Sequence, residues 1–210
     1  DYVFSVLMQA SPAMAELGGN TSLYWQVYGY DNYNSGKQAM LTGLRLVDDM
    51  TFGITLRSNA LPNFYELMLV NVTPYPISVI APDCQVMDDG RGAYIQGDFT
   101  AALLEKTFLD PETGYASHPM VTSGPYQLVS YDAAAGTVVM QANENYRGNY
   151  EGQRPLIETV TLVETTNVAA VDALLDGTLD IVDKLSDAQA IDAAAHSLQM
   201  ASSQYLCSGL

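Results

Sequence analysis

Histidine, the usual base in nucleophilic catalysis, occurs only twice in this 210-residue sequence, at positions far apart. A serine or cysteine nucleophile needs a neighbouring base, and the histidines available for that task are His118 and His196. His118 precedes Pro119 in a predicted loop, and His196 follows an alanine-rich stretch, where an imidazolium suits the C-terminus of a helix. Neither lies in a triad-like pattern, so the sequence favours a protein without this chemistry.

Carboxylates are plentiful, and three groups stand out: Asp48 with Asp49, Asp88 with Asp89, and Asp176 with Asp180 and Asp183. A glycosidase needs two carboxylates at a set distance in space, so a carboxylate-dependent glycoside hydrolase stays open as an alternative. The stretch 88–92 resembles part of a calcium loop but lacks the alternating ligands and the terminal glutamate. No glycine precedes Gly36-Lys37 at P-loop spacing. We therefore expect no metal and no cofactor.

Asp183 and Lys184 form a more specific candidate, because they follow a predicted short strand, 179–182, and lead to a predicted helix. Open α/β sheets bind ligands at the carboxyl ends of their strands. A surface ion pair or a helix cap explains the two residues equally well.

The net charge of the chain limits the classes of molecule that it can bind. Twenty-four acidic and eight basic residues give a net charge of −16, which repels phosphate backbones and anionic lipid heads. We expect no nucleic-acid binding and no electrostatic adsorption to membranes. No run approaches the roughly 20 apolar residues of a membrane span. The two cysteines leave a Cys84–Cys207 disulfide open, because sequence does not give the distance that such a bond needs.

Apolar spacing predicts the elements that position these residues. In the first part we expect a helix over 1–9, a hairpin over 41–56, a helix over 62–70, a loop over 82–98 and a helix over 99–109 capped by Asp98. A second hairpin is predicted from 124–131 and 137–142. Strands over 157–163, 179–182 and 198–207 alternate with helices over 167–176, capped by Thr166, and 187–195, capped by Ser186. This alternation predicts an α/β unit with parallel neighbours.

Four motifs follow one another in a distinctive order. They are Ser123-Gly124-Pro125-Tyr126-Gln127-Leu128, Asn143-Glu144-Asn145-Tyr146-Arg147-Gly148, the strand that follows Pro155, and the helix that ends before Gly177 and Asp180. In order and spacing they resemble the oligopeptide- and dipeptide-binding family, the large solute-binding proteins that serve ABC importers of peptides, nickel and some sugars. Asp1-Tyr2-Val3-Phe4-Ser5 and the hairpin 47–56 resemble further family segments. Arg147 stands where the family has tryptophan, in a predicted surface loop.

The resemblance implies a mixed α/β fold of the periplasmic-binding-protein type II, with a smaller hairpin-containing accessory subdomain. Family members are much longer, so the chain resembles an internal piece. Residues 1–90 would be part of the accessory subdomain of the first lobe, and residues 91–210 the central part of that lobe, ending at the hinge; the second lobe would be absent. We expect the isolated 210 residues to bind ligand weakly or not at all.

The resemblance also implies a function: binding oligopeptides or dipeptides outside the membrane and delivering them to permease subunits, without catalysis. By position, the implied ligand-facing residues are Asp183, Lys184, Tyr205, Tyr24 and Trp25. The implied location is the periplasm or, as a lipoprotein, the cell surface, with any lipid anchor outside this chain; a monomer is expected. A sensing or interaction protein that reuses the fold is a further alternative. The shortage of histidine argues against a nickel site.

Overall fold

The structure, a computed structural model, describes residues 1–203. The chain divides into two compact units. Unit 1 comprises Asp1–Val129 and Met140–Glu158, and unit 2 comprises Ser130–Val139 and Thr159–Leu210. This division does not test the predicted boundary near residue 90 between subdomain and lobe, which stays a prediction. No helix among residues 1–203 is long and apolar enough to cross a membrane.

The helices of unit 1 are short and pack through their apolar residues. They are α1 (Tyr2–Gln9), α2 (Pro12–Glu16), α3 (Tyr30–Asn34), α4 (Ile77–Ile80) and α5 (Ala101–Leu104), and α5 continues as a π-helical turn, Glu105–Leu109. The predicted helix over 1–9 is confirmed as α1. Val3 and Leu7 enter one buried cluster with Tyr24 and Leu41, whereas Phe4 enters another. Since α1 contributes to both clusters, it is central to the packing of unit 1.

Two antiparallel hairpins complete unit 1. Strands β1 (Leu44–Asp48) and β2 (Thr51–Ile54) confirm the predicted hairpin over 41–56. Strands β3 (Gln85–Asp88) and β4 (Ala93–Gln96) form a second hairpin where a loop was predicted, so that prediction was wrong. The turn residues 88–92 dominate the sequence pattern, but Val86 and Ile95 on either side pack against the core.

Two helix predictions in unit 1 need correction. In the segment predicted as a helix over 62–70, only a 3-10 turn forms, Glu66–Val70. Its Leu67 and Met68 are exposed, so no core contact stabilises a longer helix. The helix predicted over 99–109 does form, but Thr100 caps it instead of Asp98, because the Thr100 side chain accepts a hydrogen bond from the Leu103 N–H at 3.2 Å.

Asn143 joins two of the motifs that carry the family resemblance. Its side chain is buried, and its Nδ2 donates to the carbonyl oxygens of Thr122 at 3.3 Å and Gly124 at 3.0 Å. Its backbone N–H donates to the Pro125 carbonyl at 2.8 Å. The side-chain amide therefore satisfies the Gly124 carbonyl of the Ser123–Leu128 motif and the Thr122 carbonyl just before it, which explains why an asparagine suits this position.

A three-stranded sheet has the order β5 (Tyr126–Asp132), β6 (Thr137–Ala142), β7 (Thr159–Val163), and its first two strands confirm the second predicted hairpin. The Ala142 N–H donates to Glu158 and the Glu164 N–H donates to Gly136, each at 2.8 Å. Strands β6 and β7 are therefore antiparallel. Parallel neighbours were predicted for the strands 157–163, 179–182 and 198–207, so this sheet does not test that prediction.

The helices of unit 2 are α6 (Asn167–Leu175) and α7 (Ala188–His196). Thr166 caps α6 as predicted. Asp187, and not Ser186, caps α7, since its Oδ1 accepts from the N–H groups of Gln189 at 3.0 Å and Ala190 at 2.9 Å. The predicted strand over 179–182 does not form. The predicted strand over 198–207 is not formed up to residue 203, and its remainder lies outside the described residues.

Candidate functional site

Asp183 and Lys184 lie on the surface of unit 2, in the loop between α6 and α7. Both side chains are exposed, and Lys184 Nζ lies 3.9 Å from Asp183 Oδ2. Lys184 is the one non-glycine residue among residues 1–203 with a positive φ, at 63°. A residue with a Cβ is strained in this left-handed region, and such strain is concentrated at functional sites. The pair offers a carboxylate and an ammonium group side by side.

Both ends of this loop are fixed to the helices. At its start, the Leu179 N–H donates to the Ala173 carbonyl at 3.0 Å. At its end, the Ser186 N–H donates to Asn167 Oδ1 at 2.9 Å, which ties the loop to the first residue of α6. The loop therefore holds its two charged side chains on a defined backbone path.

Tyr24 and Trp25 lie in unit 1, and their environments differ. Tyr24 is 1% exposed, burial raises its pKa, and its hydroxyl donates to the Asn71 carbonyl at 3.5 Å. A ligand could reach its ring only if the surrounding core moved. Trp25 is 46% exposed. The Arg57 guanidinium lies 6.0 Å from the centres of the Trp25 and Tyr30 rings. Arg57 also pairs with Asp31 at 2.8 Å. Because this ion pair fixes the guanidinium beside the indole ring, Trp25 presents an ordered aromatic surface.

The five candidate residues are therefore distributed over the chain. Tyr24 and Trp25 belong to unit 1, Asp183 and Lys184 belong to unit 2, and Tyr205 lies outside the described residues. The ligand-facing role of each of these residues stays a prediction. Cys84 is buried in unit 1 and Cys207 lies outside the described residues, so the Cys84–Cys207 bridge is likewise untested.

Unit 1 also contains a groove that the sequence did not predict. It encloses about 450 Å³ and is lined by Tyr2, Phe52, Leu67, Met68, Val70, Asn71 and Val72. The Tyr2 and Phe52 rings stack with their centres 5.8 Å apart. The apolar run 67–72 was visible in the sequence, but apolar residues predict burial, and nothing in their spacing indicates an open surface.

The described residues include several side chains of the types that catalysis or metal binding would use. No group of three or more His, Cys, Asp and Glu side chains there could hold a metal ion. His196 Nδ1 lies 3.2 Å from Asp192 Oδ1 at the exposed end of α7. Asp88 pairs with Arg45 at 2.7 Å and accepts from the Gly90 N–H at 2.8 Å. The Asp88 carboxylate therefore stabilises the β3–β4 turn.

Comparisons with known proteins agree with this architecture. Residues 2–206 match the family described as bacterial extracellular solute-binding proteins, family 5 middle. No curated protein sequence matches the chain.

The chain is also similar to a solved structure of lactococcal OppA complexed with an endogenous peptide in the closed conformation, with a TM-score of 0.66 and 16% sequence identity. The similarity covers 94% of this chain and 32% of that one. It confirms the predicted mixed α/β fold of the periplasmic-binding-protein type II. The chain spans about a third of the length of that protein.

Proposed function

The chain belongs to the bacterial extracellular solute-binding proteins of family 5, and we propose that it is part of the substrate-binding component of an ABC importer. In this proposal the protein binds oligopeptides or dipeptides outside the membrane and delivers them to the permease. The observation that carries the proposal is the family match over residues 2–206, nearly the whole chain. Membership in a family of extracellular proteins supports an extracytoplasmic location; lipid anchoring and a monomeric state are further parts of the proposal.

Peptide is the proposed solute class because the chain shares its fold with a protein solved in complex with a peptide. The termini of a peptide are an ammonium and a carboxylate group, and Asp183 and Lys184 offer the complementary charges on a fixed loop. Trp25 offers an exposed aromatic surface, and Tyr205 is a further proposed contact. Tyr24 would join them only if the core around its ring moved, because it is 1% exposed. Such aromatic side chains line pockets for ligand side chains in many proteins.

Thermal unfolding of the full-length protein with a mixed pool of di- to hexapeptides tests the proposal. A ligand at about 100 times its dissociation constant adds roughly 2.7 kcal/mol of stability, which raises the midpoint by a few degrees. Stabilisation by sugars or nickel chelates, without stabilisation by peptides, would replace the solute class. Stabilisation by none of them would favour the sensing alternative, and turnover of a glycoside would contradict the expectation of no catalysis.

A substitution sharpens this test. We expect Lys184→Ala to reduce the stabilisation by peptides, because the variant loses the ammonium group proposed to pair with the peptide carboxylate. Lys106→Ala is the matched control, since it removes an exposed lysine from α5's continuation in unit 1. Equal losses in the two variants would indicate a general charge effect and count against a specific role of Lys184.

A further inference from the structure

The connection between β6 and β7 contains a loop that is closed by its own hydrogen bonds, residues 147–154, which we call the arginine loop. The side chain of Asn149 makes the closure. Its Oδ1 accepts from the N–H groups of Glu151 at 3.0 Å and Gln153 at 2.9 Å, and its Nδ2 donates to Gln153 Oε1 at 2.9 Å. The Asn149 N–H also donates to the Gln153 carbonyl at 3.0 Å. The loop therefore keeps its shape without a partner.

Both ends of the arginine loop are anchored in unit 1. Before it, Oδ1 of the buried Asn143 accepts from the Asn145 N–H at 3.0 Å, and the Asn143 carbonyl accepts from the Tyr146 N–H at 3.0 Å. After it, the Ile157 carbonyl accepts from the Tyr126 hydroxyl of β5 at 3.0 Å. Because the loop is closed and fixed at both ends, little conformational entropy is lost when a partner binds it.

The side chains that this loop presents to solvent are of the types that dominate protein interfaces. Tyr150 is 94% exposed, and Leu156, just after the loop, is 97% exposed. Arg147 and Arg154 begin and end the loop, and both are exposed. Tyrosine and arginine are enriched among the residues that contribute most to binding between proteins. The loop thus combines an open aromatic ring with two guanidinium groups on a fixed backbone.

The guanidinium groups of the loop are available to a partner. Neither Arg147 nor Arg154 has an ion-pair partner among residues 1–203. Two arginines stand against one acid, Glu151, in the loop, whereas the whole chain has a net charge of −16. An acidic partner is repelled by most of this chain and can approach where unpaired arginines lie. Guanidinium groups bind carboxylates through paired hydrogen bonds.

From these features we propose that the arginine loop is a docking point for the permease of the importer, at an acidic extracytoplasmic surface with an apolar recess. The inference rests on the proposed function and specifies the surface that meets the partner. It assigns Tyr150 and Leu156 to the recess, and Arg147 and Arg154 to carboxylates around it. Because Arg147 stands where the family pattern has tryptophan, one of these two cations is particular to this chain.

Binding of the full-length, peptide-loaded protein to the permease subunits in lipid nanodiscs tests this proposal. Tyr150→Ser should weaken that binding about tenfold or more, because the recess loses its aromatic ring. Tyr28→Ser is the matched control, since Tyr28 is 55% exposed and lies outside the loop. Both side chains are on the surface, so neither change should prevent folding. Stabilisation by the mixed peptide pool should be the same in both variants.

A charge reversal tests the arginines separately. The double variant Arg147→Glu with Arg154→Glu should also bind the permease about tenfold more weakly. Added salt should weaken the binding of the parent more than that of this variant, because salt screens the attraction between guanidinium groups and carboxylates. Lys37→Glu with Lys106→Glu is the control: it changes the net charge equally at exposed lysines outside the loop, and it should retain most of the parent's affinity.

The outcomes distinguish the two proposals. If the parent binds peptides and the permease but loop and control variants bind the permease alike, the docking proposal is overturned and the proposed function stands. The same conclusion follows if Tyr150→Ser abolishes stabilisation by peptides, or if sedimentation shows that the loop joins two copies of the protein. If the parent binds neither peptides nor the permease, the proposed function fails and the docking proposal fails with it. If it binds peptides alone, delivery to the permease and the docking proposal fail, and peptide binding stands.

Discussion

Unit 1 and unit 2 bury very different residues. In unit 1, large side chains are fully enclosed, among them Phe4, Leu7, Met8, Tyr24, Leu41 and Leu104. In the described part of unit 2, the buried apolar residues are small: Ala170, Val171, Ala190 and Ala194. Its larger apolar residues Leu162, Leu175 and Ile181 are exposed instead. Since apolar burial is the main favourable contribution to folding, the packing that stabilises this chain is concentrated in unit 1.

Unit 2 depends more on local signals. Its helices α6 and α7 have nine residues each, a length at which an isolated helix is marginal in water. Both helices have a side-chain N-cap, Thr166 and Asp187. The two helices also contact each other, and each buries alanine: Ala170 in α6, and Ala190 and Ala194 in α7. The helix caps and the contact between α6 and α7 therefore contribute to the stability of unit 2, whereas unit 1 is stabilised mainly by large buried side chains.

The largest expected difference follows from truncating one apolar side chain in each unit. Phe4→Ala should lower the free energy of unfolding by about 3–5 kcal/mol, because it leaves a cavity beside Phe99, whose ring contacts Phe4 edge-on at 5.9 Å. Leu175→Ala in α6 should cost less than about 1 kcal/mol, since Leu175 is exposed and alanine favours helix. Denaturant unfolding measures both. Similar losses in the free energy of unfolding for the two variants would contradict the inference that unit 1 is the more tightly packed unit.

The next largest effect concerns a polar group of unit 1. The side chain of Asp88 is 5% exposed, and its Oδ2 accepts from Arg45 Nε at 2.7 Å and from the Leu46 N–H at 3.0 Å. Asp88→Ala should cost about 2–3 kcal/mol, because the donors of β1 lose their charged partner. Asp89→Ala is the matched control: its carboxylate bonds only with Arg91 within the same turn among the described residues, so the loss should be smaller.

Asp88 also predicts a pH dependence. Burial by itself raises the pKa of Asp88, but the hydrogen bonds from Arg45, Gly90 and Leu46 outweigh it, so the pKa lies below its ordinary value. A carboxyl group with a lowered pKa in the folded state stabilises above its unfolded pKa, about 3.9. That stability is lost as the pH falls through the folded value. Acid unfolding curves should therefore fall less steeply below about pH 4 in Asp88→Ala; an unchanged slope would contradict this role.

The smallest effect tests the helix caps of unit 2. Asp187→Ala should lower stability by about 1 kcal/mol, because two N–H groups at the start of α7 lose their acceptor. Asp187→Asn retains an acceptor oxygen and should stay close to the parent. Circular dichroism during denaturant unfolding measures the difference. If the alanine and asparagine variants are equally stable, the caps do not stabilise unit 2 as inferred.

Local patterns predicted most elements of the fold, and tertiary contacts explain the exceptions. The hairpins around 41–56 and 124–142 have alternating apolar residues on both sides of a turn, a pattern that a single segment reveals. The hairpin 85–96 has only four residues per strand. Strands this short give a weak alternating pattern, and the turn residues between them favoured the prediction of a loop. The strand predicted over 179–182 has apolar residues but, among the described residues, no paired neighbour, and an isolated strand does not form.

The candidate site was predictable only in part. The chemistry of Asp183 and Lys184 and their place before a helix follow from the sequence, but the left-handed backbone of Lys184 does not. Nothing in the sequence distinguishes the environments of Tyr24 and Trp25. In the structure, the 3-10 turn Ser22–Tyr24 directs Tyr24 into the core and leaves Trp25 partly exposed. The groove lined by Tyr2, Phe52 and residues 67–72 depends on three separate segments, and single-sequence patterns do not show which segments meet.

Trp25 has a consequence for spectroscopy. It is the single tryptophan of the 210 residues, and it lies in unit 1 beside the Arg57 guanidinium, a positive charge that perturbs the excited indole. Tryptophan fluorescence, excited at wavelengths where tyrosine absorbs little, therefore reports on the surroundings of Trp25 in unit 1, whichever part of the chain is perturbed. Unfolding of α6 and α7 changes this emission only if it also changes the surroundings of Trp25. The chain thus carries its own optical probe for telling the loss of one unit from the loss of the other.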